Sequence, residues 1–499
     1  MKTDIKSIES TIKSRKWYTE TAPAVLQYCL GFVNGYVNLY KWFGIKGHTV
    51  EILHIIDKLG FESSIHDERE EVFEHLRKKG LHYLKKKYAL WKKEVAKLIN
   101  LQKKAFNLGN KSNEQLWEFY KKVLGLDIKQ WSFSILSESA DNFSNYELLP
   151  YLKEELAKKG INPSTKELSE AILSLCSEPG LSFVQKERLG FLAICRKLVS
   201  SRGKITDDIK KACKEHSERY YWITNNYQRA EVIPAWKFLS LAQKHIKDFN
   251  EEKINQEYTS LKETVGDIRK NKREYQKKYA FSKNISELLD LLALIGRIND
   301  ERKEINLRTI DIYYRILKEI ERRKAVNIDD LLYYLPKEIE ALLFDNKKAE
   351  KEEIVHRQKN LMLIAQKEGY VLFSDENAKK LINAFESQET KIDNLRGFVA
   401  CNGGLDVFRG KVSVVKDPKK ETSRPGNILV TTMTRPDFIP LMRKASAVIT
   451  DEGEISCHAA IVSREMNLPC IVGVKAGTKI LKNNDMIEMN LRHGLVRII

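Results

Sequence analysis

The stretch Thr450-Asp-Glu-Gly-Glu-Ile-Ser-Cys-His458-Ala-Ala-Ile-Val-Ser-Arg-Glu465 decides how this chain is read. It runs as the end of a strand, a polar loop, then a helix from about His458 to Asn467 that Pro469 stops. His458 then stands at or near the first helical position. Several backbone N–H groups there lack intrahelical partners and the helix dipole is positive, so anions are favoured. Proteins use this local geometry to hold phosphate. The positive helix end disfavours protonation of an imidazole, keeping it a neutral nucleophile near pH 7. Ser456, Cys457, Ala459 and Ala460 are small, which leaves the ring accessible. A histidine at a helix start is weak evidence alone; its surroundings decide.

Working outward, Gly403, Gly404, Gly410, Pro418, Pro425 and Gly426 cluster, and short β-branched runs replace long amphipathic stripes. Expected strands are Lys411–Val415, Asn427–Thr432, Ala447–Thr450, Cys470–Gly473, Met486–Met489 and Gly494–Ile498. A second helix is expected around Pro436–Ala445. These make a compact α/β domain with its boundary close to residue 393.

Residues 1–390 read as almost continuously helical. Ile285, Leu288, Leu291, Leu292, Ile295, Ile298, Ile305, Ile312 and Ile316 trace one sustained stripe of helical period. Helix stops are expected at Gly60, Gly80, Gly160–Pro163, Pro179-Gly180 and Pro336. Thr21 to Tyr40 carries no charge and has the length of a membrane span. It also holds Pro23, Gln27, Gly31, Asn34, Gly35 and Asn38, so a buried helix is expected and no membrane association.

The composition is globular: 499 residues, 42% hydrophobic, 31% charged, with a mean hydropathy of −0.43. Residues 395–499 contribute +6 of the formal +18, a basic balance that suits polyanions without choosing among them. Seven cysteines, an odd number without a CxxC pair, argue against a disulfide framework or a zinc site, and the expected setting is the reducing cytoplasm. Arg269–Tyr279 and Tyr83–Tyr88 are basic runs with tyrosines, read as solvated helix faces, so no nucleic-acid partner is expected. His48, His54, His66, His75 and His82 form no i, i+4 pair and are read as scattered residues, not metal ligands. Cys457 is read as a small filler, since adjacent residues do not face each other on a helix. Tyr220, Tyr221 and Trp222 either line an acceptor pocket or pack a core.

Three blocks carry a family resemblance: Gly426-Asn-Ile-Leu-Val-Thr-Thr-Met-Thr-Arg-Pro-Asp437, Ala445-Ser-Ala-Val-Ile-Thr-Asp451, and Cys457–Glu465 followed by Leu468-Pro-Cys-Ile-Val-Gly473. In order and spacing they resemble the phosphohistidine-bearing mobile domain of phosphoenolpyruvate-utilising enzymes, the family of phosphoenolpyruvate synthase and pyruvate phosphate dikinase. The resemblance implies that His458 is the catalytic, phosphorylated residue, with Gly453, Ser456, Cys457, Ala459 and Arg464 supporting the phosphate loop. Where the family pattern has a second glycine, this chain has Glu454, which puts a carboxylate beside the implied phosphate path. A common Asp-Gly pair is replaced by Asn490-Leu-Arg-His-Gly494.

Lys214–Trp222, Arg302-Lys303 and Asp329–Glu338 are similar to helical segments that precede the mobile domain in family members, as in rifampin phosphotransferases. The expected fold is multidomain: a large, mainly α-helical N-terminal region, then a C-terminal α/β swivelling phosphohistidine domain. The expected division is 1–200, helical and without an assigned role; 201–393, a helical linker or acceptor-type domain; and 394–499, the swivelling domain. Family members carry an ATP-grasp domain, and many a phosphoenolpyruvate-binding TIM barrel. The first 390 residues lack a Gly-rich nucleotide loop, and the mobile-domain pattern runs to the chain's end. The chain is therefore expected to bind no cofactor itself, with ATP and Mg held on a separate ATP-grasp subunit, as in phenylphosphate synthase. The expected activity is that of one component of a phosphotransferase system of the pyruvate, water dikinase kind, a kinase-type transfer to an unidentified small-molecule acceptor. The alternative is a diverged, non-catalytic member that acts by binding or regulation.

Overall fold

A computed structural model describes residues 5–14, 17–21, 24–36, 40–43, 52–55, 58–62, 64–140, 143–366, 369–386, 395–418, 421–453, 457–491 and 494–499. They pack as two compact units, Met1–Ala140 with Leu175–Glu389, and Asp141–Ser174 with Thr390–Ile499.

In the first unit the long apolar stripe folds as one helix, Lys283–Lys324. Ser282 caps its start by accepting from the Ile285 N–H, and Ala325, in the left-handed region at φ 49°, ends it. Ile285, Leu291, Leu292, Ile295, Ile298, Ile305, Ile312 and Ile316 are buried, each such side chain contributing roughly 1.5–3 kcal/mol. Helices Ser64–Lys104 and Asn113–Ser134 pack against it. Gly80, at φ 78° and ψ 174°, is non-helical and divides the first of these into two helical segments, as expected. The uncharged N-terminal stretch supplies helix Leu26–Tyr36, whose Leu26, Tyr28, Cys29, Leu30 and Val33 are buried. Among the described residues no helix is long and apolar enough to cross a membrane. None of the described His, Cys, Asp and Glu residues gather in threes that could hold a metal ion. His48 lies outside the described residues. In the basic run, Arg269, Lys270, Arg273, Lys277 and Lys278 are exposed on helix Glu251–Tyr279.

One expectation is corrected here. The N-terminal region also contains an antiparallel sheet of order β1-β3-β2-β4-β5, from β1 Trp17–Thr21, β2 Ile52–Ile55, β3 Lys58–Glu62, β4 Leu361–Gln366 and β5 Gly369–Ser374. Apolar runs of four to six residues do not reveal their period, so strand and helix read alike. The register brings Leu53 opposite Ile364, a pairing local pattern cannot report. Gly60 accordingly sits inside β3, and Pro336 starts helix Pro336–Phe344 rather than stopping one.

A buried polar cluster ties the helices. Asp127 Oδ1 accepts from Gln130 Nε2 at 3.1 Å and Oδ2 from the Tyr313 hydroxyl at 3.3 Å. Gln130 Nε2 also donates to Asn306 Oδ1 at 3.0 Å, and Asn306 Nδ2 to the Tyr227 hydroxyl at 2.8 Å. A Cβ on Gly31 would overlap Asp127 Oδ2, so the glycine admits the carboxyl against its helix.

The second unit holds an eight-stranded sheet of order β6-β13-β12-β8-β9-β10-β11-β7. Its strands are β6 Leu395–Arg396, β7 Phe398–Cys401, β8 Val407–Val414, β9 Ile428–Thr431, β10 Ala447–Thr450, β11 Cys470–Val472, β12 Met486–Asn490 and β13 Leu495–Ile498. The six expected strands are present, and β6 and β7 are added. Neighbours β8, β9, β10 and β11 run parallel, while the outer pairs are antiparallel. Strands β9, β10 and β11 are buried on both faces, as their unbroken apolar runs require, whereas β8 is exposed at Val407, Arg409 and Lys411. Ile428, Val430, Ala447, Ile449 and Ile471 enter one core layer. Leu429, Val448, Cys470 and Val472 enter the other.

Burial pushes the Asp127 carboxyl up to about 7. An unfolded Asp ionises near 4, so the unfolded chain releases this proton first. Stability of the helical unit therefore falls as pH rises from about 4 to about 7, by on the order of 3 kcal/mol, and levels off above. Asp127→Asn is expected to remove that part of the slope in thermal unfolding measured across the range. A slope unchanged by the substitution would contradict the assignment.

Candidate functional site

In open α/β sheets, loops at the carboxyl ends of parallel strands build the binding crevice. Here those loops follow β9, β10 and β11. Beyond β10 the pairing continues on both sides. The Asp451 N–H donates to the Thr431 carbonyl at 3.0 Å and that of Glu452 to Thr432 at 2.8 Å. From the other side the Val474 and Lys475 N–H groups donate to the carbonyls of Thr450 and Asp451, at 3.0 and 2.9 Å. Thr450 Oγ1 donates to the Glu452 carbonyl at 2.7 Å. Gly453 then turns at φ 121°, a conformation side chains oppose. A Cβ there would come within 2.7 Å of Cys457 Sγ.

The helix that follows is His458–Glu465, so His458 is its first residue. Cys457 is the N-cap in extended conformation (φ −69°, ψ 164°), and its side chain does not cap the helix. Cys457 thus leaves the first-turn N–H groups uncapped by its own side chain, and a negative charge beside such groups is stabilised by about 0.3–1 kcal/mol. The helix seats on the sheet through Ala459, Ala460 and Val462, packed with Leu429, Val448, Cys470 and Val472. Larger residues than Ala459 and Ala460, both at most 1% exposed, would lift the helix start from the strands.

Of the residues expected to support a phosphate loop, Gly453, Cys457 and Ala459 lie together in the turn and first helical positions beside His458. Ser456, with Glu454, lies outside the described residues. Arg464 stands six residues on from His458, about 9 Å along the axis. Its Nε donates to the Ala400 carbonyl of β7 at 3.0 Å, which fastens the helix to the sheet edge. Burial pulls this guanidinium below its ordinary value, while Cys470, Cys401, Cys457 and Glu170 pull the other way. Burial also pushes the Cys470 thiol up to about 12, so it behaves as an apolar core residue.

Sequence patterns match the same region. Residues 423–494 match the profile described as PEP-utilising enzyme, mobile domain. The C-terminal region of this chain is a mobile domain of the PEP-utilising enzymes. A probable phosphoenolpyruvate synthase of Archaeoglobus fulgidus is 35% identical over 187 residues, 36% of this chain and 22% of that protein. One from Methanothermobacter thermautotrophicus is 46% identical over 115 residues, 22% of this chain and 16% of that protein. The phosphoenolpyruvate synthase of Neisseria meningitidis is 40% identical over 120 residues, 22% of this chain and 15% of that protein. These matches therefore span about a fifth or less of each relative's length. The family read from the three sequence blocks is the one found.

In the helical unit, the aromatic trio belongs to a core. Trp222 is fully buried under the Arg308 guanidinium at 4.3 Å, and the Tyr221 hydroxyl donates to Asp311 Oδ2 at 2.7 Å. Two features of the mobile domain escaped the sequence reading. Gly473, at φ 72°, lets its backbone approach the Gly453 carbonyl, 2.9 Å from where a Cβ would sit. Asp451 was quoted in a block but given no role. A carboxylate directly after a buried strand, two residues before Gly453, was the available signal.

Gly453→Ala is expected to destabilise the mobile domain by about 1–3 kcal/mol, through its φ and the Cys457 contact. Denaturant unfolding of the purified variant measures this. A loss under about 0.5 kcal/mol would mean the turn relaxes freely.

Proposed function

We propose that His458 carries a phosphoryl group between a donor site and an acceptor, the mobile domain swivelling between them. The observation that carries this reading is a histidine as first residue of a helix that starts beyond β10, inside residues 423–494 of a PEP-utilising mobile domain. A neutral imidazole nitrogen attacks the donor phosphorus. The P–O bond to the leaving group breaks with its electron pair, and an N–P bond forms. An acceptor hydroxyl reverses the step, losing its proton as the N–P bond breaks. The helix N-terminus offers N–H donors to the transferred oxygens, so the chain's part is positioning and charge stabilisation.

ATP and Mg are assigned in this reading to a separate ATP-grasp subunit, and the acceptor to the helical region, on the sequence argument given above. The division of that region at residue 200 belongs to the same reading. Glu454, at a family glycine position, favours a second reading, in which the domain is not phosphorylated and acts by binding or regulation. Arg464, fastened to Ala400, supports the loop only through the helix it holds.

The test incubates the chain with radiolabelled phosphoenolpyruvate, or with radiolabelled ATP and a candidate ATP-grasp protein. Acid-labile, alkali-stable label is expected on wild type and absent from His458→Ala. Label that survives the substitution would remove His458 from the reading. No label from any donor would favour the second reading.

A further inference from the structure

Asp451 is buried, 7% exposed, at the carboxyl end of the strand that leads to His458. Its backbone is held from both sides, by Thr431 and by Lys475. Its carboxylate reaches a third place, the first turn of the short Gly477–Ile480 helix. Oδ1 and Oδ2 lie 3.0 and 3.2 Å from the Thr478 N–H that donates to them, and Oδ2 also accepts from the Thr478 hydroxyl. Gly477 makes room for this, since a Cβ would stand 2.9 Å from Oδ1. The chain entering that turn passes through Gly473, whose Cα lies against the Gly453 carbonyl. One residue thus ties the end of β9 and the segment after β11 to the loop that follows β10, its backbone reaching Thr431 and its side chain Thr478. Its negative charge is spent on Thr478 and its surroundings rather than on the phosphate path.

We propose that Asp451 is a positioning residue for phosphoryl transfer at His458, clamping the loop after β11 behind Gly453 so that the helix N-terminus is presented in one place. This rests on the reading of His458 as the phosphorylated residue. Hydrogen bonding, not charge, is what the geometry asks of the side chain. An asparagine keeps an acceptor for the Thr478 N–H, whereas alanine frees the loop and leaves a buried N–H without its partner.

The experiment uses the full chain and phosphoramidate, a donor that needs no protein partner. The imidazole nitrogen attacks phosphorus, the donor P–N bond breaks and ammonia leaves. Site-resolved mass spectrometry, well below the unfolding midpoint, compares the rate at His458 with that at His82, which is exposed in the helical unit. Asp451→Ala is expected to lower the His458 rate about ten-fold or more relative to His82. Asp451→Asn should stay within about three-fold of wild type. If the alanine variant does not fold, Thr478→Val, which removes only the hydroxyl donor, is expected to give an intermediate loss. A wild-type ratio in the folded alanine variant, or in Thr478→Val in its place, overturns the inference and leaves the reading of His458 standing. A wild-type chain that reacts at His82 and not at His458 overturns both.

Discussion

Parallel pairing of β8, β9, β10 and β11 is the constraint on which the rest of the mobile domain depends. Ile428 pairs with both Val412 and Ala447, and Val448 with Cys470, so the strands end together along one edge. A parallel sheet must be covered on both faces, and the chain returns over it in helical crossovers. The crossover from β10 to β11 is the His458–Glu465 helix, held flat by alanines. Its first turn therefore lies at the carboxyl edge. The place of His458 at the start of that helix follows from strand order and packing.

Backbone hydrogen bonds stiffen that edge. Hydrogen bonds from 451–452 to 431–432 and from 474–475 to 450–451 extend the sheet past its formal end. Gly453 and Gly473 each occupy left-handed dihedrals where the chain crowds itself. The cysteines beside the helix, Cys401 and Cys470, are cross-strand neighbours in a mostly apolar layer. Arg464 caps that layer through Ala400.

The sequence was most legible where period and punctuation agreed. The Ile285–Ile316 stripe declared its helix, and strand, loop and helix around His458 were separated by Gly453 and Pro469. Reading failed where partners are distant in the chain. β2 meets β4 across some three hundred residues, and runs such as Leu361–Gln366 carry no period long enough to tell strand from helix. The two-residue β6 and the edge strand β7 are similarly too short to declare themselves. At the site, the histidine could be found from its neighbours and from family pattern. The clamp of Asp451 on Thr478 could not, because a carboxylate's partner 27 residues on is a fact of topology. In the helical unit, likewise, Asp127 looked like any polar residue until Gly31, Gln130 and Tyr313 closed round it.

The central claim is that this edge makes His458 a phosphoryl carrier in the living cell. Its most direct test isolates the chain from its own cells under alkaline conditions and maps phosphohistidine by mass spectrometry without acid steps. The account predicts a phosphoryl group on His458 in a measurable fraction of molecules. An unmodified His458, with an added phosphohistidine standard surviving the same work-up, would contradict it.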